Sequence, residues 1–347
     1  MLISASDFYC PLTVERHSQA EEVEIRAIRW LEDRGFFDDM PADDRAALTG
    51  TRIAELCGMA TPHASEEKLL NCTKWLYCMW HVDDKYSDAS HTSQGALVHF
   101  VRMASNLLRA ISVPKLATND PLLIVANEIS KDMRRYASDV QMRRWQDAQR
   151  RWLMGVAWEI SNVVDGALLG VDEYLAMRLN SSGVLPSIAT FDIAQGGGAC
   201  AEEMDSSTVQ ALTEMTALIV ALDNDIYSHP MEKGCARNSL NVIELIRGPE
   251  DEYDGELVTR VREIRDPMMW RFLELREQVG KQCSPELSEY LSCLENTIGG
   301  CIDIGLKAPR YAKWLDGNPQ ISLAAPNVPL RTDSLDYPSV EWWWPEK

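Results

Sequence analysis

The strongest constraint on the fold lies between residues 217 and 232. The run Ala217-Leu218-Ile219-Val220-Ala221-Leu222 is apolar without a break, and it leads into Asn224-Asp225-Ile226-Tyr227-Ser228-His229-Pro230-Met231-Glu232. A helix this apolar is buried, so the polar groups that emerge from it need partners. Asn224, Ser228 and Glu232 recur every four residues. Each such step turns an α-helix by only about 40°, which puts all three side chains on one stripe. An amide, a hydroxyl and a carboxylate form an oxygen-only set that suits Mg2+ and not zinc, which prefers imidazole and thiolate. Pro230 removes a helical hydrogen bond within the stripe and implies a local kink.

Far upstream sits a second acidic element, Asp83-Asp84-Lys85-Tyr86-Ser87-Asp88. A Mg2+ that keeps some of its waters and is held by few carboxylates usually shares itself with a substrate phosphate. Two such elements in one chain therefore imply a diphosphate clamped between two helices. Residues 65–82 read as one helix that starts near Ser65, carries the stripe Leu69, Cys72, Leu76, Met79, Trp80, and delivers the aspartates at its C-terminal end. The helix macrodipole disfavours acids at that end, so their presence asks for a functional reason. If the helix continued, Asp83 and Ser87 would share one face, and Asp84 and Asp88 another, about 100° away.

The rest of the pattern is helical as well. Residues 1–20 read as an extended arm, after which Val23, Ala27, Trp30 and Leu31 fall at three- and four-residue spacing. Further helices are predicted at 93–112, 119–137, 142–169, 171–180, 205–230, 255–280 and 284–306, with Pro41 and Pro62 punctuating the early ones. No alternating run with a hairpin signal is present. Gly196-Gly197-Gly198 reads as a connection between helices, since no Lys-Ser/Thr pair follows to make a phosphate loop. The expected organisation is one all-α domain over residues 1–315. A tail over 316–347 carries five prolines and Trp342-Trp343-Trp344, which are expected to pack back on the body more readily than to cap a site.

Apolar residues make up 46% of the 347, enough for a sizeable single core. The formal net charge of −19 argues against nucleic acid or an anionic membrane as partner. It also means that any diphosphate must be met by local positive charge, from metal ions and a few arginines. Nine cysteines without a Cys-x-x-Cys pair fit a reduced, cytoplasmic chain. No signal peptide is expected at the start, and no apolar stretch approaches the roughly 18 residues of a membrane span.

The pattern Asn-Asp-x-x-Ser-x-x-x-Glu, preceded by an Asp-Asp cluster, resembles the class I terpene synthases, the microbial type in particular. Two further elements fit the resemblance and its order along the chain. Arg310-Tyr311 looks like that family's C-terminal Arg-Tyr pair, and Arg178 lies just before the break Ser181-Ser182-Gly183, where the family places a diphosphate-sensing arginine. The resemblance implies the class I terpenoid-synthase helical bundle around a central active-site cavity, with three Mg2+ ions. It implies metal binding by Asn224, Ser228 and Glu232 and by the Asp83, Asp84, Asp88 cluster. Within that cluster Asp83 is the expected bridging ligand and Asp84 the expected partner of Arg310. The family's usual acid four residues after the first Asp is Ser87 here, and the acid stands at Asp88. Arg178, Arg310 and Tyr311 would bind diphosphate, with Ser181 and Ser182 linking Arg178 to a backbone carbonyl at the helix break near the substrate's reacting carbon. Met231 stands where the family often has Lys, with Lys233 or Arg237 as substitutes. Trp80 is the best aromatic wall for a carbocation, with Phe191, Trp75 and Trp158 as weaker candidates, each expected more readily as ordinary core packing. Ile304 replaces a common Trp and should enlarge the pocket.

The function implied is Mg2+-dependent ionisation and cyclisation of a linear isoprenyl diphosphate. Farnesyl diphosphate is the first expectation, as the commonest substrate of similar enzymes, and geranylgeranyl diphosphate the alternative. A chain-elongating prenyltransferase would carry a second Asp-rich motif instead of Asn/Ser/Glu, and a non-catalytic helical binding protein would show a broken triad. A homodimer is left open.

Overall fold

The computed structural model describes residues 8–86, 94–167, 169–234, 240–247, 254–312, 315 and 334–344. Ser87, Asp88 and Arg237 lie outside the described residues. Among those described there are helices and no β-strand, so the all-α expectation holds.

After an arm over residues 8–19 come α1 (Ala20–Glu32), α2 (Ala42–Thr49), α3 (Ile53–Ala60) and α4 (Glu66–Tyr86). The central bundle continues with α5 (Gln94–Ser112), α6 (Pro121–Met133), α7 (Asp139–Asp165), α8 (Val171–Ser181) and α9 (Val184–Gln195). The one-turn α10 (Ala201–Met204) leads to α11 (Ser207–Gly234), the longest helix. Then follow α12 (Val242–Leu245), α13 (Asp254–Gly280), α14 (Pro285–Lys307), α15 (Pro309–Ala312) and α16 (Pro338–Glu341). Among the described residues no helix is long and apolar enough to cross a membrane.

Local chemistry sets several of these limits. Asp120 caps α6, accepting from the N–H groups of Leu122 and Leu123, ahead of Pro121 at the first helical position. Ser138 and Gln141 form a reciprocal capping box at the start of α7. Ser284 caps α14. The predicted helices fall close to the observed ones, but α11 runs four residues past its expected end at 230, the short α10, α12, α15 and α16 were not expected, and two further differences bear on the site. Helix α4 runs one turn further than expected and takes both Asp83 and Asp84 into its last turn. Helix α9 was not expected. Ten of its twelve residues are buried, so it shows no polar face and no amphipathic period to read. The Gly196–Gly198 segment lies between α9 and α10, as a connection.

Helix α11 runs through the middle, packed on α14, α13, α8 and α9. The arm is fastened across it. Phe8 and Cys10 are fully buried, the Tyr9 carbonyl accepts from Arg265 of α13, Arg16 pairs with Asp303 of α14, and His17 N–H donates to Gly58 O at 3.1 Å. Arg265 is fully buried and grips Asp223 of α11 with two hydrogen bonds of 2.8 and 2.9 Å. Burial pushes the Asp223 carboxyl up to about 6, and the guanidinium opposes that; with this geometry the pair stays ionised at neutral pH. At the far end of the chain Trp343 is buried, its carbonyl accepting from Arg271 of α13 at 2.9 Å. It packs on the body and does not line the central cavity.

Arg265→Met strands the Asp223 charge in the interior and should cost roughly 3–5 kcal/mol in urea unfolding. The double substitution Asp223→Leu with Arg265→Met removes both charges and should recover most of that loss.

Candidate active site

Three consecutive residues of α11 face three ways, as successive residues about 100° apart on a helix must. Asp223 turns to Arg265. Asp225 turns to α8, where its Oδ1 accepts from Arg178 Nε at 3.1 Å and Nη2 at 2.8 Å, and its Oδ2 from the Tyr174 hydroxyl. Asn224, between them, lines a central cavity. Ser228 and Glu232 line the same wall. Burial raises the Asp225 carboxyl to about 6 against the opposing pull of Arg178, which is itself held strongly protonated by Asp225 despite burial.

The three oxygen residues line one cavity, as their spacing on α11 requires. Ser228 Oγ donates to Glu232 Oε1 at 2.6 Å, and Asn224 Oδ1 accepts from Arg178 Nη2 at 3.0 Å. Asn241, the cap of α12, donates to Glu232 Oε2 at 3.0 Å and to the Asp225 carbonyl at 2.9 Å. A hydroxyl, an amide oxygen and one carboxylate converge on one side of a cavity, which fits a hard cation that retains waters. Among the described residues no group of three or more His, Cys, Asp and Glu gathers as a metal site. That agrees with a triad that contributes a single carboxylate.

The facing wall comes from α4. Trp80 and Asp83 line the cavity. Asp84 does not: its two oxygens are taken by Arg310, Nη1 at 2.9 Å and Nη2 at a shorter contact. The side chain is thus presented to Arg310 rather than to the cavity, in keeping with the pairing that the resemblance implied for it. Arg310 and Tyr311, on the one-turn α15, are buried and line the mouth.

Between α8 and α9 the chain breaks at Ser182 and Gly183, the latter at φ +75°. Arg178 and Ser182 line the cavity; Ser181 is buried outside it. Phe191 of α9 lines it too, together with Ile304 and Met231. Three expectations land elsewhere. Lys233 is exposed and outside the lining, because one residue past Glu232 it points off the stripe. Trp75 is fully buried edge-on to Trp145, with centroids 4.8 Å apart. Trp158 sits on the surface of α7.

Sequence reasoning missed Trp152 and Glu159, both in the lining, and the supporting roles of Asp225, Tyr174 and Asn241. Asp225 stood inside the motif and could have been questioned there. Asn241 carries no local signal at all.

A family model, "Terpene synthase family 2, C-terminal metal binding", matches residues 74–264. Spiroviolene synthase of Streptomyces violens is 30% identical, over 99% of this chain and 97% of its own. Phomopsene synthase of Allokutzneria albata is 28% identical over 97% and 95%. (+)-T-muurolol synthase of Streptomyces clavuligerus, (2E,6E)-farnesyl diphosphate cyclizing, is 27% identical over 99% and 83%. A crystal structure of the SVS_A2 protein from ancestral sequence reconstruction superposes with a TM-score of 0.81 at 31% identity, covering 99% of this chain and 98% of that one. 2-Methylisoborneol synthase from Streptomyces coelicolor, solved with Mg2+ and 2-fluoroneryl diphosphate, shares the fold, with a TM-score of 0.77 at 18% identity over 93% of this chain and 100% of that one.

Asp225→Asn removes the charge that orients Arg178 without touching the cavity. It should weaken calorimetric binding of Mg2+ with inorganic diphosphate about 10- to 100-fold, the usual cost of losing a group that orients a ligand.

Proposed function

The chain belongs to the class I terpene synthases of the microbial type, lyases that cyclise isoprenyl diphosphates with Mg2+, and we propose that its substrate is the C20 diphosphate, geranylgeranyl diphosphate. The observation that carries this reading is the cavity lining. Ala221, Thr297, Cys301, Gly183 and Ile304 are small or medium-sized, and nothing as large as the family's common Trp stands at position 304. The farnesyl expectation rested on frequency alone. The lining supports the longer chain.

In this reading Asn224, Ser228 and Glu232 hold one Mg2+, and Asp83 faces them to hold the other ions, three in all. The bound ions supply positive charge against the departing diphosphate. Arg178, Arg310 and Tyr311 donate hydrogen bonds to the diphosphate oxygens. The allylic C–O bond then breaks, its electron pair leaving with diphosphate. The apolar walls fold the chain so that a distal alkene attacks the cation, and they exclude the water that would quench it. Trp80, Trp152 and Phe191 present π faces to the positive charge. The released diphosphate is a sufficient base for the final proton.

Incubation with Mg2+ and each of the C10, C15 and C20 diphosphates should give cyclic product mainly from C20. Product from C15 alone would restore the farnesyl reading, and no product from any would sink the cyclase assignment of this site. EDTA should abolish turnover and leave helical circular dichroism unchanged, because the oxygen ligands do not hold the fold together. Ile304→Trp adds bulk to the cavity lining and should lower C20 turnover relative to C15 by about tenfold or more, a difference of the order produced by misfit in an apolar pocket.

A further inference from the structure

One side of α7 is turned to solvent along most of its length. Arg143, Asp147, Arg150 and Met154 follow at steps of four, three and four residues, and Trp158, Ser161 and Asp165 continue at four, three and four. At about 100° per residue all of them fall within an arc of about 80°. Ser161 is half-buried and the others are exposed. Met154, in the middle, is 72% exposed, the most of any large apolar side chain among the described residues. Trp152 and Glu159, which line the cavity, lie on the opposite side of the helix. A furrow runs alongside in two stretches that share Arg150 and Arg151. Leu185 and Ile188 of α9 wall the first, and Trp158 of α7 with Asn180 of α8 the second.

We infer that this face binds a second copy of the chain, with the two α7 helices antiparallel and Met154 on the two-fold axis. The spacing is symmetric about Met154 and the chemistry is complementary, as an isologous contact requires. Arg150 then faces the second copy's Trp158, a cation over an indole. Asp147 faces the second copy's Ser161, a hydroxyl donor, and Arg143 faces the second copy's Asp165. Each pairing occurs twice, and no like charges meet. A chain of net charge −19 repels its own copies. On this stripe two arginines and two aspartates cancel. The 27 residues of α7 span about 40 Å, and a strip about 10 Å wide gives roughly 400 Å² per copy. That is about half of a standard interface, so the association is weak and depends on concentration. The cavity, on the other side of α7, is left clear.

Sedimentation equilibrium of the full chain over a range of concentrations tests this. The unsubstituted protein should pass from monomer to dimer as concentration rises, with no larger species, because an isologous contact closes on itself. Met154→Lys sets two like charges against each other on the axis, beside Arg150, and should weaken the dimer about tenfold or more. Arg143→Asp or Asp165→Arg alone should each weaken it about tenfold, since either reversal acts twice. The two reversals together should restore it, because the pair re-forms with exchanged signs. Residues 143 and 165 are about 33 Å apart along one α7, so such a rescue passes only between copies. All three substituted side chains are exposed, and helical circular dichroism should not change. The paired reversal carries the test if Met154→Lys fails to fold. A chain that stays monomeric up to about 1 mM overturns the inference and leaves the furrow to a different partner. A dimer indifferent to Met154→Lys, or charge reversals that add instead of cancelling, overturns it as well.

Discussion

Two buried arginine–carboxylate pairs, one on each side of Asn224, set the geometry of everything else. Asp223 is held by Arg265 of α13, and Asp225 by Arg178 of α8. Neither pair is a strong source of net stability, since removing four charges from water costs about as much as the pairing returns. Their effect is on register. A rotation of α11 by one residue would break both pairs at once and bury unpaired charge, so the helix has one permitted setting. In that setting the residue between the pairs faces the cavity, and the stripe of Asn224, Ser228 and Glu232 follows from it. The second pair also delivers Arg178 to the cavity with its guanidinium already oriented. One carboxylate thus serves helix packing and the chemistry of the site.

The electrostatics of the cavity answer the question raised by a chain of charge −19 acting on an anion. The lining carries Asp83, Glu159 and Glu232 against Arg178 and Arg310. Both arginines lean on aspartates, Asp225 and Asp84. The protein does not present a basic pocket of its own. The positive charge that a diphosphate needs comes chiefly with the cations, and the arginines act as directional donors more than as a charge reservoir. The acids of the lining come from α4, α7 and α11, and the proposed cation sites lie on α4 and α11.

How much of this could be read from the residues differs by element. Helices with one wet face, α1 and α7 among them, were legible because their apolar spacing records the direction of the core. Helix α9 was not, being buried nearly all round. The α11 triad was legible because its chemistry and its period agree. The Asp225 brace was not, because its meaning depends on Arg178 and Tyr174, about fifty residues away. The aromatics show the same limit. Trp152 and Trp158 share α7 and differ by a little under two turns, yet one lines the cavity and the other meets solvent. Composition cannot separate them, since only the rotation of α7 against α8 and α9 decides. Lys233 misses the cavity for the same reason, one step of about 100° beyond Glu232.

The clamp of the N-terminal arm carries a consequence for how the molecule comes into being. The Tyr9 carbonyl and Arg265 are 256 residues apart in sequence. At the roughly 5–20 residues per second of synthesis, the arm must wait on the order of tens of seconds for its partner to leave the ribosome. The same arginine closes on Asp223, so α11 cannot settle into its register until α13 has arrived. Early helices are free to pack in the meantime, but no nascent fragment short of Arg265 can own a finished site. A reactive cavity that makes cations is thereby assembled late, with its walls already in place.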